Sequence, residues 1–200
     1  MKPFVVLYAT REGQTRRIAH HIEARVNDHG HPARIRRIHD IREPFDLDRY
    51  EGAILAASVH LGKHEPEVVE FVKRHRDKLE KLPTALLSVS LSEAGAEDPT
   101  RTEDEREEAA ADVRGAIDGF LRETGWRPKH IKAVAGALVY SKYNFITRFV
   151  MKQIAKKRAI ATDTAHDYEF TDWKAVDHFA DEILGEVIAH AVTRGHPAPA

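Results

Sequence analysis

Short apolar segments alternate with amphipathic helical patterns along most of this 200-residue chain. The segment 52–57 is continuously apolar, as expected of a strand that is buried on both faces of a parallel sheet. Connections of helix length between such strands favour a parallel order with right-handed crossovers. The alternation therefore predicts one doubly wound α/β domain. The five predicted strands are Phe4–Ala9, 33–38, 52–57, Thr84–Ser90 and 131–137.

Recognisable capping signals set the ends of several predicted helices. Thr102 and Glu105 have the spacing of a capping box, which starts a helix that ends at Gly125. Asp172 is placed to cap the last helix in the same way. The residues 92–101, which lie before the capping box, are predicted to form a polar linker.

Composition excludes several classes of protein. Hydrophobic residues make up 42% of the chain and charged residues 32%, which is typical of a soluble globular domain. The absence of cysteine excludes disulfides, iron–sulfur clusters and thiol nucleophiles. No segment approaches the ~20 apolar residues of a membrane span, and no signal peptide is visible. We expect a single domain over residues 1–192 and a flexible tail over 193–200.

The loop 10–15, with the sequence Thr-Arg-Glu-Gly-Gln-Thr, joins the first predicted strand to the first helix. Backbone N–H groups at a helix start have no intrahelical partner and lie at the positive end of the helix dipole, so they favour an anion. Gly13 lets the backbone approach an anion closely, and the hydroxyls of Thr10 and Thr15 can donate to it. The alternative is that both threonines are ordinary capping and turn residues. The position directly after the first strand favours a phosphate site.

The loop matches neither a Walker sequence nor a dinucleotide fingerprint. A flavodoxin-like fold with the strand order 2-1-3-4-5 is expected, and it places a ligand at the switch point between strands one and three. The loops after strands one, three and four meet there, which suits a mononucleotide with a flat ring. The predicted cofactor-binding residues are Thr10, Arg11, Glu12, Gly13, Gln14, Thr15, Ser58, Val59, His60, Leu61, Gly62, Val89, Ser90 and Leu91.

Several segments resemble the bacterial flavodoxin-like, quinone-dependent protoporphyrinogen IX oxidases, and together they span nearly the whole chain. They are 10–15, 57–62, 125–128, 135–140 and 168–173. The resemblance implies FMN as cofactor and oxidation of protoporphyrinogen IX to protoporphyrin IX in haem biosynthesis. It also implies electron delivery to a membrane quinone, either menaquinone or ubiquinone. Leu61 departs from the family, which carries an aromatic residue there, and leucine stacks more weakly on a flavin ring.

The segment 141–170 does not fit the alternation and is predicted to be an insertion after the fifth strand. It is rich in lysine and arginine, and its apolar residues fall on one face of a helix. Such a helix suits an anionic membrane surface or a substrate with two propionates, whereas the alternative is a surface helix packed on the domain. The resemblance favours the functional interpretation. The residues expected to contact substrate or membrane are Tyr140, Tyr143, Arg148, Lys152 and Lys156.

Two other functions stay open on sequence grounds. A flavodoxin-type electron carrier is usually strongly acidic, whereas the formal net charge here is −1. An NAD(P)H-quinone reductase of the same fold would need an adenine-phosphate site, and none is evident. We name no catalytic acid or base, expect no metal and no nucleic-acid partner, and leave homo-oligomerisation open. The expected location is cytoplasmic, peripherally associated with the inner face of the cell membrane.

Overall fold

The computed structural model describes residues 2–138 and 167–193. The strands are β1 (Phe4–Ala9), β2 (Ala33–Arg37), β3 (Gly52–His60), β4 (Lys63–His64), β5 (Thr84–Ser90), β6 (His130–Ala135), β7 (Ala137–Leu138) and β8 (Tyr168–Glu169). The α-helices are α1 (Gln14–Asp28), α2 (Pro66–Leu79), α3 (Leu91–Glu97), α4 (Glu103–Thr124) and α5 (Trp173–Thr193). Two short 3₁₀ helices, Ile38–Asp40 and Leu47–Arg49, lie between β2 and β3.

The five long strands form one parallel sheet in the order β2-β1-β3-β5-β6. This is the predicted flavodoxin-like order. Strand β2 lies at the edge of the sheet beside β1, and β3 pairs with the other side of β1. At the carboxyl edge Ala9 of β1 lies beside Ala57 of β3, and Ser58 lies beside Val89 of β5. The three predicted ligand loops therefore leave the sheet from neighbouring strands.

Alternate side chains of the central strands enter two separate cores. Phe4 and Val6 of β1 face α1 and α5, whose inward side chains complete the first core. Val5 and Leu7 of the same strand face α2 and α4 on the opposite side of the sheet. Each central strand is covered on both faces, which explains its continuously apolar sequence. The sheet is rigidly held, and its carboxyl edge carries the loops.

The capping predictions are confirmed. Thr102 accepts a hydrogen bond from the backbone N–H of Glu105, and the Glu105 carboxylate accepts one from the Thr102 N–H in return. Gly125 ends α4 in the left-handed conformation with φ 68°. The Asp172 carboxylate accepts from the N–H groups of Lys174 and Ala175 at 2.9 and 3.1 Å, which caps α5.

The prediction of a polar linker over 92–101 is wrong, because α3 occupies its first part. Ser90 caps this helix by accepting from the backbone N–H of Glu93 at 3.1 Å. Gly95 is buried and leaves room for the Arg101 side chain, since a Cβ atom there would lie 2.5 Å from Nη1 of that arginine. A cap and close packing thus hold this helix. Neither leaves a periodic pattern of apolar residues in the sequence from which the helix could be predicted.

The segment after Ala57 is a hairpin, whereas a loop was expected. The strand β3 continues to His60, and β4 returns antiparallel to it, with Val59 beside His64. Leu61 and Gly62 form the two-residue turn with φ 50° and 76°, the left-handed pair of a type I′ hairpin. Leucine rarely adopts this conformation, so the turn places an apolar side chain at a strained position at the carboxyl edge.

The fifth strand is shorter than predicted. It ends at Ala135, and the chain then forms β7, which pairs antiparallel with β8. The segment between these two short strands, 139–166, and the tail 194–200 lie outside the described residues. Within the described ranges, no helix is long and apolar enough to cross a membrane.

His64 of β4 is buried in the core between the sheet and α4. Its Nε2 atom lies 3.0 Å from the Ser88 hydroxyl, and its ring lies 4.8 Å from that of Phe120. Burial lowers the pKa of His64 from 6.5 to about 4, since a charged imidazole would lose its hydration there. His64 is therefore neutral in the folded protein at neutral pH.

This lowered pKa predicts a loss of stability in mild acid. Between pH 6.5 and 4 the unfolded chain binds a proton at His64 that the folded chain does not, so acid favours unfolding. The stability is complete above the unfolded pKa and falls as the pH drops towards the folded one. We expect about 2 kcal/mol of the free energy of unfolding to be lost between pH 7 and pH 5. Urea unfolding at pH 7 and at pH 5 measures this loss of free energy.

Two variants identify the group responsible. His64→Asn has no titrating group, so its pH 7 to pH 5 difference should shrink by the same amount. His178→Asn changes an exposed histidine of α5 and should keep the wild-type difference. An unchanged pH dependence in His64→Asn would show that other groups cause it.

Candidate functional site

The first loop turns sharply between β1 and α1. Gly13 has φ 104°, a conformation that side chains with a Cβ atom rarely adopt. The Thr10 hydroxyl oxygen accepts from the Gly13 N–H at 3.0 Å, which closes the loop and leaves the hydroxyl proton free to donate. The glycine is thus required by the turn itself, in addition to any close approach of a ligand.

The amino end of α1 suits an anion. No side chain caps it, and no acidic residue lies in its first turn. Thr15 in that turn is only 1% exposed, so its hydroxyl lies at a nearly dry position next to the backbone N–H groups. Free N–H groups and the positive end of the helix dipole together favour an anion such as a phosphate.

Ion pairs join the first loop to the second. The Arg11 guanidinium lies 3.1 Å from the Glu65 carboxylate, and the Ser58 hydroxyl donates to the same carboxylate at 3.4 Å. On the outer side, Nδ1 of His60 lies 3.9 Å from the Glu12 carboxylate. These contacts fix the spacing between the phosphate loop and the β3–β4 hairpin. His60 and His64 face different partners, Glu12 and Ser88.

The Leu61 side chain stands at the tip of the second loop and is 84% exposed. It is the apolar surface that this hairpin offers to a flat ring. Gly62 completes the turn, and Val59 lies in β3 two residues before Leu61. In the third loop, Val89 is buried in the core, so a ligand would meet its backbone, and Ser90 is engaged in capping α3. Leu91 is half-buried at the start of that helix.

Two carboxyl groups beside the third loop have raised pKa values. Burial raises the pKa of Glu93 in the first turn of α3, and the nearby charge of Glu97 adds to the effect. Burial also raises the pKa of Glu97, although the ammonium of Lys132 opposes this. These groups hold protons more readily than ordinary glutamates. The sequence interpretation named neither of them.

A hydrogen-bonded cluster fastens the amino end of α1 to the chain before α5. The Gln14 amide donates to the carboxylate of Glu169 at 3.0 Å and to the hydroxyl of Thr171 at 2.9 Å. Thr171 in turn donates to the backbone carbonyl of Ala135 at 2.8 Å. The Arg17 guanidinium donates to Glu169 at 2.8 Å and to the Gln14 side-chain oxygen at 3.1 Å.

This cluster gives Gln14 a different role from the predicted one. Its amide already has partners, so only its backbone N–H is free to serve a ligand. Trp173 supports the cluster, because the Arg17 guanidinium lies 5.8 Å from its ring centre and His21 lies 4.8 Å away. Sequence reasoning missed Arg17, Glu169 and Thr171 in this role. The segment 168–173 was recognised as characteristic, but nothing in it names a partner on α1.

A cavity of about 610 Å³ opens beside the amino end of α1. Glu12, Gly13 and Gln14 form one wall, and Tyr168 and Glu169 of the β7–β8 hairpin form the opposite wall. The volume is within the range of small-molecule sites. The cavity thus joins the predicted phosphate loop to the place where the insertion leaves and re-enters the domain.

The structure brings most of the predicted cofactor residues to one sheet edge. The predicted substrate or membrane residues Tyr140, Tyr143, Arg148, Lys152 and Lys156 lie outside the described residues. Their assignment stays a prediction.

Comparison with known proteins gives the same architecture. The flavodoxin domain family matches residues 5–165. A flavodoxin from Streptococcus pneumonia TIGR4 aligns with a TM-score of 0.51 at 13% identity, over 92% of this chain and 98% of its own. A short-chain flavodoxin associated with a bacterial microcompartment aligns with a TM-score of 0.52 at 12% identity, over 94% and 99%. At these identities the structural likeness establishes the fold alone.

Sequence relatives are more specific. The protoporphyrinogen IX dehydrogenase [quinone] of Escherichia coli K12 is 34% identical over 179 residues, which cover 90% of this chain and 93% of the relative. The enzyme of the same name from Leishmania major is 29% identical over 188 residues, covering 92% and 76%. The chain therefore belongs to the flavodoxin domain family and, within it, to the family of the quinone-dependent protoporphyrinogen IX dehydrogenases.

Proposed function

We propose that the protein is an FMN-dependent oxidoreductase that oxidises protoporphyrinogen IX to protoporphyrin IX and passes the electrons to a quinone. The observation that carries this proposal is full-length similarity to relatives of that name, joined to an uncapped helix start at the switch point of the sheet. The activity places the protein in haem biosynthesis, and the quinone is menaquinone or ubiquinone.

The residues at the carboxyl edge suit FMN. A monophosphate fits the first loop, where Gly13 permits close approach and the N–H groups of the first turn of α1 have no capping side chain. Thr10 and Thr15 supply hydroxyl donors. The flat ring would lie between the β3–β4 hairpin and the third loop, with Leu61 available to cover one face. Bound FMN would supply the two-electron redox chemistry.

The protein's own groups bind, orient and manage protons. The Arg11–Glu65 pair holds the first two loops at a fixed spacing, so the ring position is set before substrate arrives. Glu93 follows the third loop directly, and its raised pKa makes it a candidate to hold a proton released from the porphyrinogen. Full aromatisation removes six electrons, so three two-electron cycles are needed for each porphyrin.

Pre-steady-state reduction tests this function. Protoporphyrinogen IX, mixed anaerobically with the FMN-loaded protein, should bleach the flavin absorption while porphyrin fluorescence appears. Added quinone should then restore the flavin absorption. NADPH in place of porphyrinogen should have no effect, and reduction by NADPH alone would instead favour a quinone reductase. If neither donor reduces the flavin, a flavodoxin-type electron carrier would be the remaining function.

Replacement of Thr15 with Ala should weaken FMN binding by ~1–3 kcal/mol, because a buried hydroxyl next to a charged phosphate is lost. Titration of the apoprotein with FMN, followed by quenching of flavin fluorescence, measures the affinity. Thr124→Ala is the matched control. That threonine is also buried in a helix, but it donates to the Phe120 carbonyl and lies at the end of α4 that leads into β6, so FMN affinity should not change. Equal affinities in all three proteins would remove Thr15 from the site.

Reversible docking to an anionic membrane surface completes the proposal, since the acceptor is a lipid-soluble quinone. The basic residues of the insertion are suited to this contact. Each basic residue near an anionic leaflet contributes ~1 kcal/mol and is screened by salt. A variant with Arg148, Lys152 and Lys156 changed to Gln should therefore co-sediment less with anionic vesicles at low salt.

A second variant, which loses the same number of positive charges elsewhere on the protein, controls for the change in net charge. Arg34, Arg36 and Arg37 are exposed on the edge strand β2, and their change to Gln removes the same three positive charges. This variant should keep wild-type vesicle binding, and neutral vesicles should bind no version strongly. If both triple variants bind anionic vesicles equally, the insertion is not the docking surface.

A further inference from the structure

A second cavity, of about 400 Å³, lies between α2 and α4 on the far face of the β3–β4 hairpin. Its floor is His64, with Val69 of α2 and Phe120 of α4 as apolar walls. Gly62 and Lys63 of the hairpin close one end. Because Gly62 also belongs to the predicted FMN loop, this cavity and the cofactor site share one turn of the chain.

His64 presents an unused polar atom in this cavity. The residue is 5% exposed, and its Nδ1 atom makes no hydrogen bond, although the Ala116 carbonyl lies near the ring. Its Nε2 atom lies 3.0 Å from the Ser88 hydroxyl. When that hydroxyl donates to Nε2, the ring proton is on Nδ1 and can serve an acceptor in the cavity. A buried donor without a partner is costly, so a ligand with an acceptor group would be favoured.

The wall opposite the hairpin is lined by glycine. Gly115 and Gly119 lie one turn apart on α4, and a Cβ atom added to either would have nothing within 4 Å. Glycine in a helix interior is destabilising relative to alanine. These two positions therefore keep space open above the helix, where a flat molecule can lie close to the backbone.

The side chains at the rim of the cavity are charged and form ion pairs with each other. Lys73 lies 3.0 Å from the Glu123 carboxylate and 3.7 Å from that of Glu70, and both glutamates line the opening. An anionic ligand would meet these carboxylates at the entrance. The cavity thus suits an uncharged, flat molecule that carries a carbonyl acceptor and enters past the rim.

We propose that this cavity binds the ring of the quinone acceptor, with one quinone carbonyl accepting from Nδ1 of His64. This inference rests on the proposed function, which supplies the acceptor. The ring would lie between Val69 of α2 and the face of α4 that carries the glycines and Phe120. There the quinone would accept the two electrons and two protons that the reduced flavin releases, and it would leave as the quinol. The predicted FMN loop and this cavity meet at Gly62, so the two sites would be neighbours in the fold.

Binding of menadione to the FMN-loaded protein tests the site without turnover. In ¹⁵N-labelled protein, the ring signals of His64, assigned by their absence in His64→Asn, should shift as menadione is added. Gly119→Leu fills the cavity and should weaken binding about tenfold or more, since the ring and the new side chain compete for the same space. Gly185→Leu places the same side chain on an open, exposed helix position of α5 and should bind as the wild type does.

Further comparisons separate hydrogen bonding to the quinone carbonyl from non-specific binding of an apolar ring. His64→Phe keeps a ring beside Phe120 but removes the donor, and should weaken menadione binding about tenfold. His64→Asn keeps an N–H near the Nδ1 position and should retain most of the affinity. In the wild type, 2-methylnaphthalene, which lacks the carbonyls of menadione, should bind about tenfold more weakly.

The proposal is overturned if the His64 signals do not shift, or if Gly119→Leu and Gly185→Leu bind menadione equally. It is also overturned if menadione and 2-methylnaphthalene bind equally. Failure of the proposed function has a different signature, since protoporphyrinogen would then not reduce the flavin even in the absence of quinone. If the inference alone is wrong, Gly119→Leu is reduced by protoporphyrinogen and reoxidised by menadione at wild-type rates.

Discussion

The uncapped amino end of α1 is the constraint on which the candidate site depends. The parallel sheet directs the chain from a buried strand into a helix start, and the left-handed Gly13 makes that turn possible. The N–H groups of its first turn need an acceptor, and the N-cap residue Gly13 has no side chain to provide one. A phosphate satisfies this requirement. The other loops of the site are arranged around that point, because their strands lie beside β1 or next to its neighbour.

Long-range contacts give this helix end a second function, which is to anchor the chain at the end of the insertion. The side chains of Gln14 and Arg17 bind Glu169 and Thr171, which lie shortly before α5. The β7–β8 hairpin is short and has little core of its own, so these polar contacts hold it against the domain. The same turn of α1 thus offers its backbone to a ligand and its side chains to the hairpin.

The sequence predicts the parts of the structure that local rules determine. Apolar runs mark the five long strands, and the Thr102–Glu105 box and Gly125 mark the ends of α4. It does not predict α3, since that helix depends on a cap from Ser90 and on packing of Arg101 over Gly95, which are tertiary contacts. Gln14 and Thr171 are 157 positions apart in the sequence, and no local pattern predicts their contact. Most of the candidate loops are therefore predictable, whereas the contacts that hold them in place are not.

Burial has the same consequence for His64 and Glu93, two of the titratable groups near the candidate site. It lowers the pKa of His64 and raises that of Glu93, so each group favours its uncharged form. His64 lies on the α4 side of the hairpin, and Glu93 lies in α3 after the third loop. Oxidation of a porphyrinogen releases protons, and reduction of a quinone takes them up. On the proposed assignments, His64 would donate a hydrogen bond to the quinone as a neutral ring, and Glu93 would become neutral when it takes up a proton from the porphyrinogen, so that neither step would require a charge to be created in a dry interior.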